Sequence, residues 1–189
     1  GALNTNRITI RGVGARTLFG TDKLRLYYND IPITNGSGFS TIESFDLENL
    51  SSVEVIKGPK ATNYGANLGG AILLNSKQPN NESTYFRNNF TLGSYNLVKN
   101  NLQFSLKENK IALSLHYGYL ETDGYRENNK FKREGLLLDL NYQINPKTNI
   151  GLLFNHVDYN AQIPSSLGET DFKENPTKAA FTWKSAKGY

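Results

Sequence analysis

Between Thr84 and Ile144 the chain changes character at every second residue. From Ile111 to Tyr119 the odd positions are Ile111, Leu113, Leu115, Tyr117 and Tyr119, and the even ones are Ala112, Ser114, His116 and Gly118. Glu134 to Ile144 repeats this, with Leu136, Leu138, Leu140, Tyr142 and Ile144 opposite Leu137, Asp139, Asn141 and Gln143. Thr84 to Gly93 sets Phe86, Phe90 and Leu92 against Arg87, Asn89 and Thr91. Val98 to Lys107 sets Val98, Leu102, Phe104 and Leu106 against Lys99, Asn101, Gln103, Ser105 and Lys107. A period of two sends alternate side chains to opposite faces of a strand, whereas a helix would scatter them around its axis. Ile150, Leu152 and Phe154 continue the pattern with Leu153 and Val157 on the other face, and Ala179, Phe181 and Trp183 begin a sixth strand.

The connections alternate too. Glu108 to Lys110 and Asn145 to Lys147 are tight turns, while Glu121 to Phe131 and Asn160 to Pro176 are long and polar; Ser94 to Asn96 is short although it falls at the long-loop end. Short turns at one end and mostly long loops at the other are the plan of an outer-membrane barrel. Ten residues tilted by about 45° rise about 23 Å, close to the apolar band of such barrels. A soluble antiparallel sheet with one face on a core also alternates. Against it stand the length of the strands, a second face that is as often uncharged as charged, and tyrosines near strand ends (Tyr85, Tyr95, Tyr117, Tyr119, Tyr142, Tyr159) where an interfacial girdle needs them.

The first 78 residues read differently: short apolar strands separated by Gly-bearing turns, up to a boundary at Gln78-Pro79-Asn80-Asn81. Arg7 to Arg11 and Lys23 to Tyr28 are expected strands, the second with Leu24, Leu26 and Tyr28 on its apolar side. Ile42 to Leu50 has helical spacing, with Ser40 or Thr41 as cap. Val53 to Lys57 is a strand ended by Gly58-Pro59, Pro59 to Tyr64 a turn or short helix stopped by Gly65, and Ala71 to Leu74 a last strand. The expected fold is thus an α/β unit over residues 1–78, followed over residues 79–189 by antiparallel transmembrane β-barrel strands.

The motifs of the first unit carry a resemblance. Val53-Glu54-Val55-Ile56-Lys57-Gly58-Pro59, Asn63-Tyr64-Gly65 and Leu68-Gly69-Gly70-Ala71-Ile72-Leu73-Leu74-Asn75, preceded in order by Ile10-Arg11-Gly12 and Tyr28-Asn29-Asp30-Ile31-Pro32, resemble the end of the plug domain of TonB-dependent outer-membrane receptors. The chain departs from the usual pattern in lacking Gly after Asp30 and in ending Leu73-Leu74-Asn75-Ser76. Ala66-Asn67 is followed by Leu68-Gly69-Gly70 and not directly by Gly, which sets the chain closer to metal-chelate receptors than to glycan importers. Asn160 to Ala180, with Ile163-Pro164 and Phe172 to Pro176, is similar to the third extracellular loop of siderophore and ferric-citrate receptors.

The resemblance implies an internal fragment holding the C-terminal part of a plug α/β domain and about six of about 22 barrel strands, in the outer membrane of a Gram-negative cell. It implies TonB-dependent import of a metal chelate, a ferric siderophore or ferric citrate, with cobalamin, haem and other chelates open. TonB would act through a segment absent here, and outer-membrane lipid would surround the barrel. Gly58, Pro59, Tyr64, Gly65, Gly69 and Gly70 would be structural plug positions. Arg11 and Lys57 would pair with barrel carboxylates, less firmly at Lys57, where Lys replaces the commoner Arg. In apical plug loops Arg16 is a candidate for an anionic chelate and Phe19 and Phe39 for an aromatic one. A solvated or merely structural role is the alternative at each. Loops Thr122 to Lys130 and Gln162 to Glu174 could close over ligand.

Composition narrows the rest. No Cys excludes a disulfide, a thiolate metal site and a Cys nucleophile, and the only histidines, His116 and His156, fall on opposite strand parities. No catalytic set, resident cofactor or metal site is expected. A formal charge of +4 with interspersed signs gives no nucleic-acid patch. Gly12-Val13-Gly14 lacks the rest of a dinucleotide fingerprint, and Gly58 to Gly65 lacks the end of a P-loop. A passive porin or adhesin barrel with a folded insert is the alternative to an importer; an outer-membrane hydrolase would need a Ser/His/Asp set that is not displayed.

Overall fold

A computed structural model describes residues 8–10, 12, 24–34, 42–58, 63–65, 69–77 and 83–184. The chain forms two compact units, Gly1–Gln78 and Pro79–Tyr189.

In the first unit, β1 (Arg25–Tyr28), β2 (Ile31–Pro32), β3 (Leu50–Ile56) and β4 (Ala71–Ser76) make a sheet in the order β2-β1-β4-β3. β1 runs parallel to β4, and the other pairs are antiparallel. Leu24, Leu26 and Tyr28 are buried, as their alternation implies, with Ala71, Ile72 and Leu74 of β4. Tyr28 stacks on Phe45 with ring centroids 4.6 Å apart, and Leu50 and Ile10 are buried as well. Ile10 makes one isolated pairing; the remainder of the strand expected from Arg7 to Arg11 is not formed at residues 8–9 and lies otherwise outside the described residues.

The single helix expected from Ile42 to Leu50 is instead two 3-10 turns, Ile42–Ser44 and Leu47–Asn49, and Leu50 already belongs to β3. The cause sits between them: Asp46 accepts the backbone N–H of Glu48 at 3.0 Å, offering the chain a local bond that competes with a continuous helical ladder.

Two backbone positions hold this unit in register. Asn29 turns β1 into β2 at φ 51°, a left-handed conformation that Asn tolerates better than most residues. Its side chain then receives the N–H of Ser76 at 2.9 Å and donates to Ser76 Oγ at 3.1 Å, tying the hairpin to the end of β4. Gly70 has φ 124°, and a Cβ there would lie 2.2 Å from the Ile56 carbonyl oxygen, so β3 and the entry to β4 meet only because that residue is glycine.

The second unit is a five-stranded antiparallel sheet in chain order: β5 (Ser83–Gly93), β6 (Leu97–Glu108), β7 (Ile111–Thr122), β8 (Phe131–Asn145) and β9 (Thr148–Ala161). The strands contain 11 to 15 residues. Turns at residues 109–110 and 146–147 close one end; residues 94–96, 123–130 and the segment after Ala161 lie at the other. Gly118 and Gly135 stand directly opposite each other in the β7·β8 ladder. The sixth strand expected at Ala179 to Trp183 is not formed. Phe181–Trp183 is a 3-10 turn, because the N–H groups of Ala179 and Ala180 are spent on Glu127 and on the Pro164 carbonyl, away from any strand edge. A short helix, α1 (Glu169–Glu174), precedes it. Among the described residues no helix is long and apolar enough to cross a membrane, which leaves crossing by strands untouched.

Substituting Gly70→Ala is expected to cost about 2 kcal/mol or more, through backbone strain and overlap with Ile56. Gly58→Ala, at φ 70° but with open space around it, is expected to cost about 1 kcal/mol. Amide exchange across β3 and β4 of the intact protein measures both, and equal effects would refute the close-approach argument.

Candidate functional site

The sheet of the second unit is inverted relative to a soluble protein. Its register aligns the apolar positions in rows: Phe86, Phe104, Leu115, Leu138 and Phe154 in one, Leu106, Leu113, Leu140 and Leu152 in the next. These faces are open, with Phe86 68%, Ile150 59% and Phe154 50% exposed. The opposite face carries Asn101, Gln103, Ser105, Ser114, His116 and Asp139, all buried, Ser105 completely. A sheet covering a greasy core would show the reverse. An outward apolar face and an inward polar one is what a strand crossing lipid around an aqueous or plugged interior requires.

The inward face is knitted by its own side chains. Gln103 donates to Tyr85 Oη at 2.6 Å, Ser105 and Ser114 share a hydrogen bond at 3.3 Å, and Asn141 donates to Asp139 at 2.9 Å. His116 lies in the row between Gln103 and Leu137, whereas His156 is exposed on the apolar face. The two cannot share a metal, and the described residues contain no cluster that could hold one.

The outward face changes along its height. Toward the turns it ends in Ile111, Tyr142 and Ile150; toward the loops it passes through Leu102, Tyr117 and Leu136 into Tyr119, Glu134 and Asp158. Eight residues of β7 separate Ile111 from Tyr119, about 19 Å along the normal at ~45° tilt. Tyr117, Tyr119 and Tyr142 therefore suit an interfacial girdle. Tyr85 and Tyr159 do not: the register puts them on the inward face, beside Ser105 and Arg133. Their nearness to strand ends identified them, but parity decides which solvent they meet.

Beyond the strands the loops form a bonded network. Asp123 takes a hydrogen bond from Asn96 at 2.6 Å and an ion pair from Lys130 at 2.9 Å, and its N–H reaches the Tyr95 carbonyl at 2.9 Å. Tyr95 and Tyr125 meet edge to face at 5.7 Å. The bond from Lys130 and then that from Asn96 hold the Asp123 carboxyl below its ordinary range, and Asp123 raises Lys130.

Of the first unit's expected positions, Tyr64 receives the Tyr27 hydroxyl on its carbonyl at 3.0 Å, the two rings meeting edge to face, and Gly65 follows at φ 97°. Gly58 ends β3 at φ 70°; Gly69 and Gly70 are buried at the entry to β4. Lys57 is exposed just past β3 and has no ion-pair partner among the described residues. Arg11, Arg16, Phe19, Phe39 and Pro59 lie outside the described residues. Sequence reasoning passed over Asn29, whose lock on Ser76 was signalled by an Asn in a tight turn, and Arg126, which no local pattern marked.

Comparison with known proteins locates these features. Residues 1–72 match the family model of the TonB-dependent Receptor Plug Domain. Among solved structures, the chain resembles the closed form of the ferric-catecholate import receptor Fiu from E. coli K12, at 26% identity and a TM-score of 0.58 over 77% of this chain and 20% of that one. It resembles the pyoverdine outer membrane receptor FpvA from Pseudomonas aeruginosa PAO1 at 24% and 0.58, over 72% and 20%. The siderophore receptor PiuA from Acinetobacter baumannii matches at 20% and 0.61, over 85% and 21%. The chain thus spans about a fifth of the length of each of these structures.

Leu115 lies in the central apolar row, and Leu115→Arg is expected to cost about 2–4 kcal/mol in a lipid-embedded wall, against about 0.5 kcal/mol or less on a water-facing sheet. Equilibrium unfolding of the full-length protein in bilayers separates the two. A second expectation concerns pH. The Asp123 carboxyl is lowered on folding, so its contribution is present above the ordinary carboxylate range and lost as pH falls through the lowered value. Lys130 is raised, so its contribution persists below the ordinary lysine range and fades as pH climbs through the raised value. Amide exchange over residues 122–130 should accelerate at both extremes, and Asp123→Asn should remove the acid limb.

Proposed function

We propose that this chain, which carries a TonB-dependent receptor plug domain in its first 72 residues and the first strands of a barrel wall after it, is part of an energised importer of a metal chelate, with a ferric siderophore as cargo. Plugs of this family belong to outer-membrane receptors, and the outer membrane is where the chain resides. The observation that carries the reading is the inverted sheet, apolar rows open and polar rows buried, in a chain whose residues 1–72 match a plug-domain family. The resembled proteins are a ferric-catecholate import receptor, a siderophore receptor and a pyoverdine receptor, the last bound to pyoverdine in its structure, which supports a receptor role.

In this reading residues 1–78 are the C-terminal part of the plug and residues 79–189 begin the barrel. The plug blocks free diffusion, the outer loops capture the chelate, and TonB, acting on a segment beyond this chain, remodels the plug with energy from the inner-membrane proton gradient. No bond in the cargo breaks. Arg11 and Lys57 fix plug to wall through carboxylates of the barrel. Lys57 does so as a point charge without the paired geometry of a guanidinium. Arg16 meets the anionic groups of the chelate, and Phe19 and Phe39 its aromatic rings.

The test is uptake of radiolabelled iron, supplied as a panel of siderophores and as ferric citrate, by cells carrying the full-length gene as their sole such receptor. Uptake that collapses with a proton uncoupler supports the importer; uptake indifferent to uncoupler identifies a passive porin and overturns it. Arg16→Ala is expected to weaken binding of the transported chelate without changing the amount of receptor in the membrane.

A further inference from the structure

An arginine in an outer loop of a receptor for anionic chelates invites reading as a ligand contact. Arg126, in the β7–β8 connection, is already committed elsewhere. Its Nη1 donates to the Ser165 carbonyl at 2.6 Å, and its Nε and Nη2 donate to the Lys178 carbonyl at 3.0 and 2.7 Å. All three nitrogens of the guanidinium therefore bind backbone of the segment that follows β9, on both sides of α1.

The neighbours of Arg126 reinforce the same junction. Glu127 donates its N–H to the Thr177 carbonyl at 2.7 Å and accepts that of Ala179 at 3.2 Å. Asn128 donates to the carbonyls of Ile163 at 3.1 Å and Trp183 at 2.6 Å. Ser165 is held at φ 58°, a conformation that a serine keeps only where its surroundings over-determine it. On the far side, Lys178 is gripped through its ammonium by Asp171 and Glu174 of α1 at 3.2 and 3.3 Å, so the carbonyl that Arg126 uses is itself anchored.

We propose that Arg126 is a positioning strut that makes the β7–β8 connection and residues 162–184 one mechanical body, so that these two outer loops open and close together and neither gates alone. Geometry and not charge carries the role: the guanidinium sets three donors in one rigid plane across two carbonyls, two of them on the same oxygen, a fork that the compact tetrahedral ammonium of a lysine does not reproduce. The inference concerns the loops' mechanics and holds whatever the cargo.

The test is hydrogen exchange by mass spectrometry on the ligand-free full-length protein in lipid nanodiscs, comparing wild type, Arg126→Ala and Arg126→Lys. Wild type should show protection over residues 124–130 and 162–180 that rises and falls together. Both variants should exchange about tenfold or more faster in the second segment as well as the first, with β5 to β9 unchanged as the sign of an intact wall. Unaltered exchange at 162–180 in Arg126→Ala, or wild-type protection in Arg126→Lys, overturns the strut. Loss of chelate binding in Arg126→Ala with exchange unchanged would make Arg126 a ligand contact instead, and likewise overturns it.

Discussion

Alternation is the constraint on which the second unit rests. In hydrocarbon no water competes for backbone groups, so a crossing strand must satisfy its ladder within the sheet and show lipid only apolar side chains. The five strands meet both demands through one register in the central row, while the row toward the loops admits Asn88 and His156 at the two edge strands. Phe86 to Phe154 form a single apolar row across all of them, while Ser105, Ser114 and Asp139 form a polar one behind. A slip of one residue would put a serine of β6 or β7, or the aspartate of β8, into lipid and a leucine into the interior, so the register of these three strands is specified along their length and not merely at the turns.

The first unit solves a different problem. It is small, its strands are four to seven residues long apart from the two-residue β2, and it cannot rely on long ladders. Its order comes from a buried aromatic pair, Tyr28 on Phe45, and from positions where the backbone must do what most residues resist. Asn29 and Gly70 are the clearest. One uses a left-handed turn to bring an amide onto Ser76, the other removes a side chain so that β3 and β4 can close. The missing glycine after Asp30 is thereby explained: the left-handed residue of this turn is Asn29, two positions before the place where glycine is usual.

What was legible in the sequence is what depends on period and polarity. β5 to β9, their faces and their turns follow from alternation, and Leu24, Leu26 and Tyr28 announce their burial in the same way. What was not legible depends on competition between partners. Ile42 to Leu50 has helical spacing, yet Asp46 captures a backbone donor and divides the segment. Phe181 and Trp183 have strand spacing, yet Glu127 and Pro164 take the neighbouring N–H groups first. Tyr85 and Tyr159 have the girdle's residue type but not its parity. Arg126 is invisible to any local rule, because its partners lie 39 and 52 residues away.

The opposed glycines of β7 and β8 add a property that no single residue of the wall possesses. Gly118 and Gly135 face each other with no Cβ on either, in a ladder otherwise stiffened by leucines and tyrosines. Bare backbone coils more readily than backbone flanked by side chains. Curvature can therefore concentrate along the line joining the two, giving the wall a crease where its neighbours only bow.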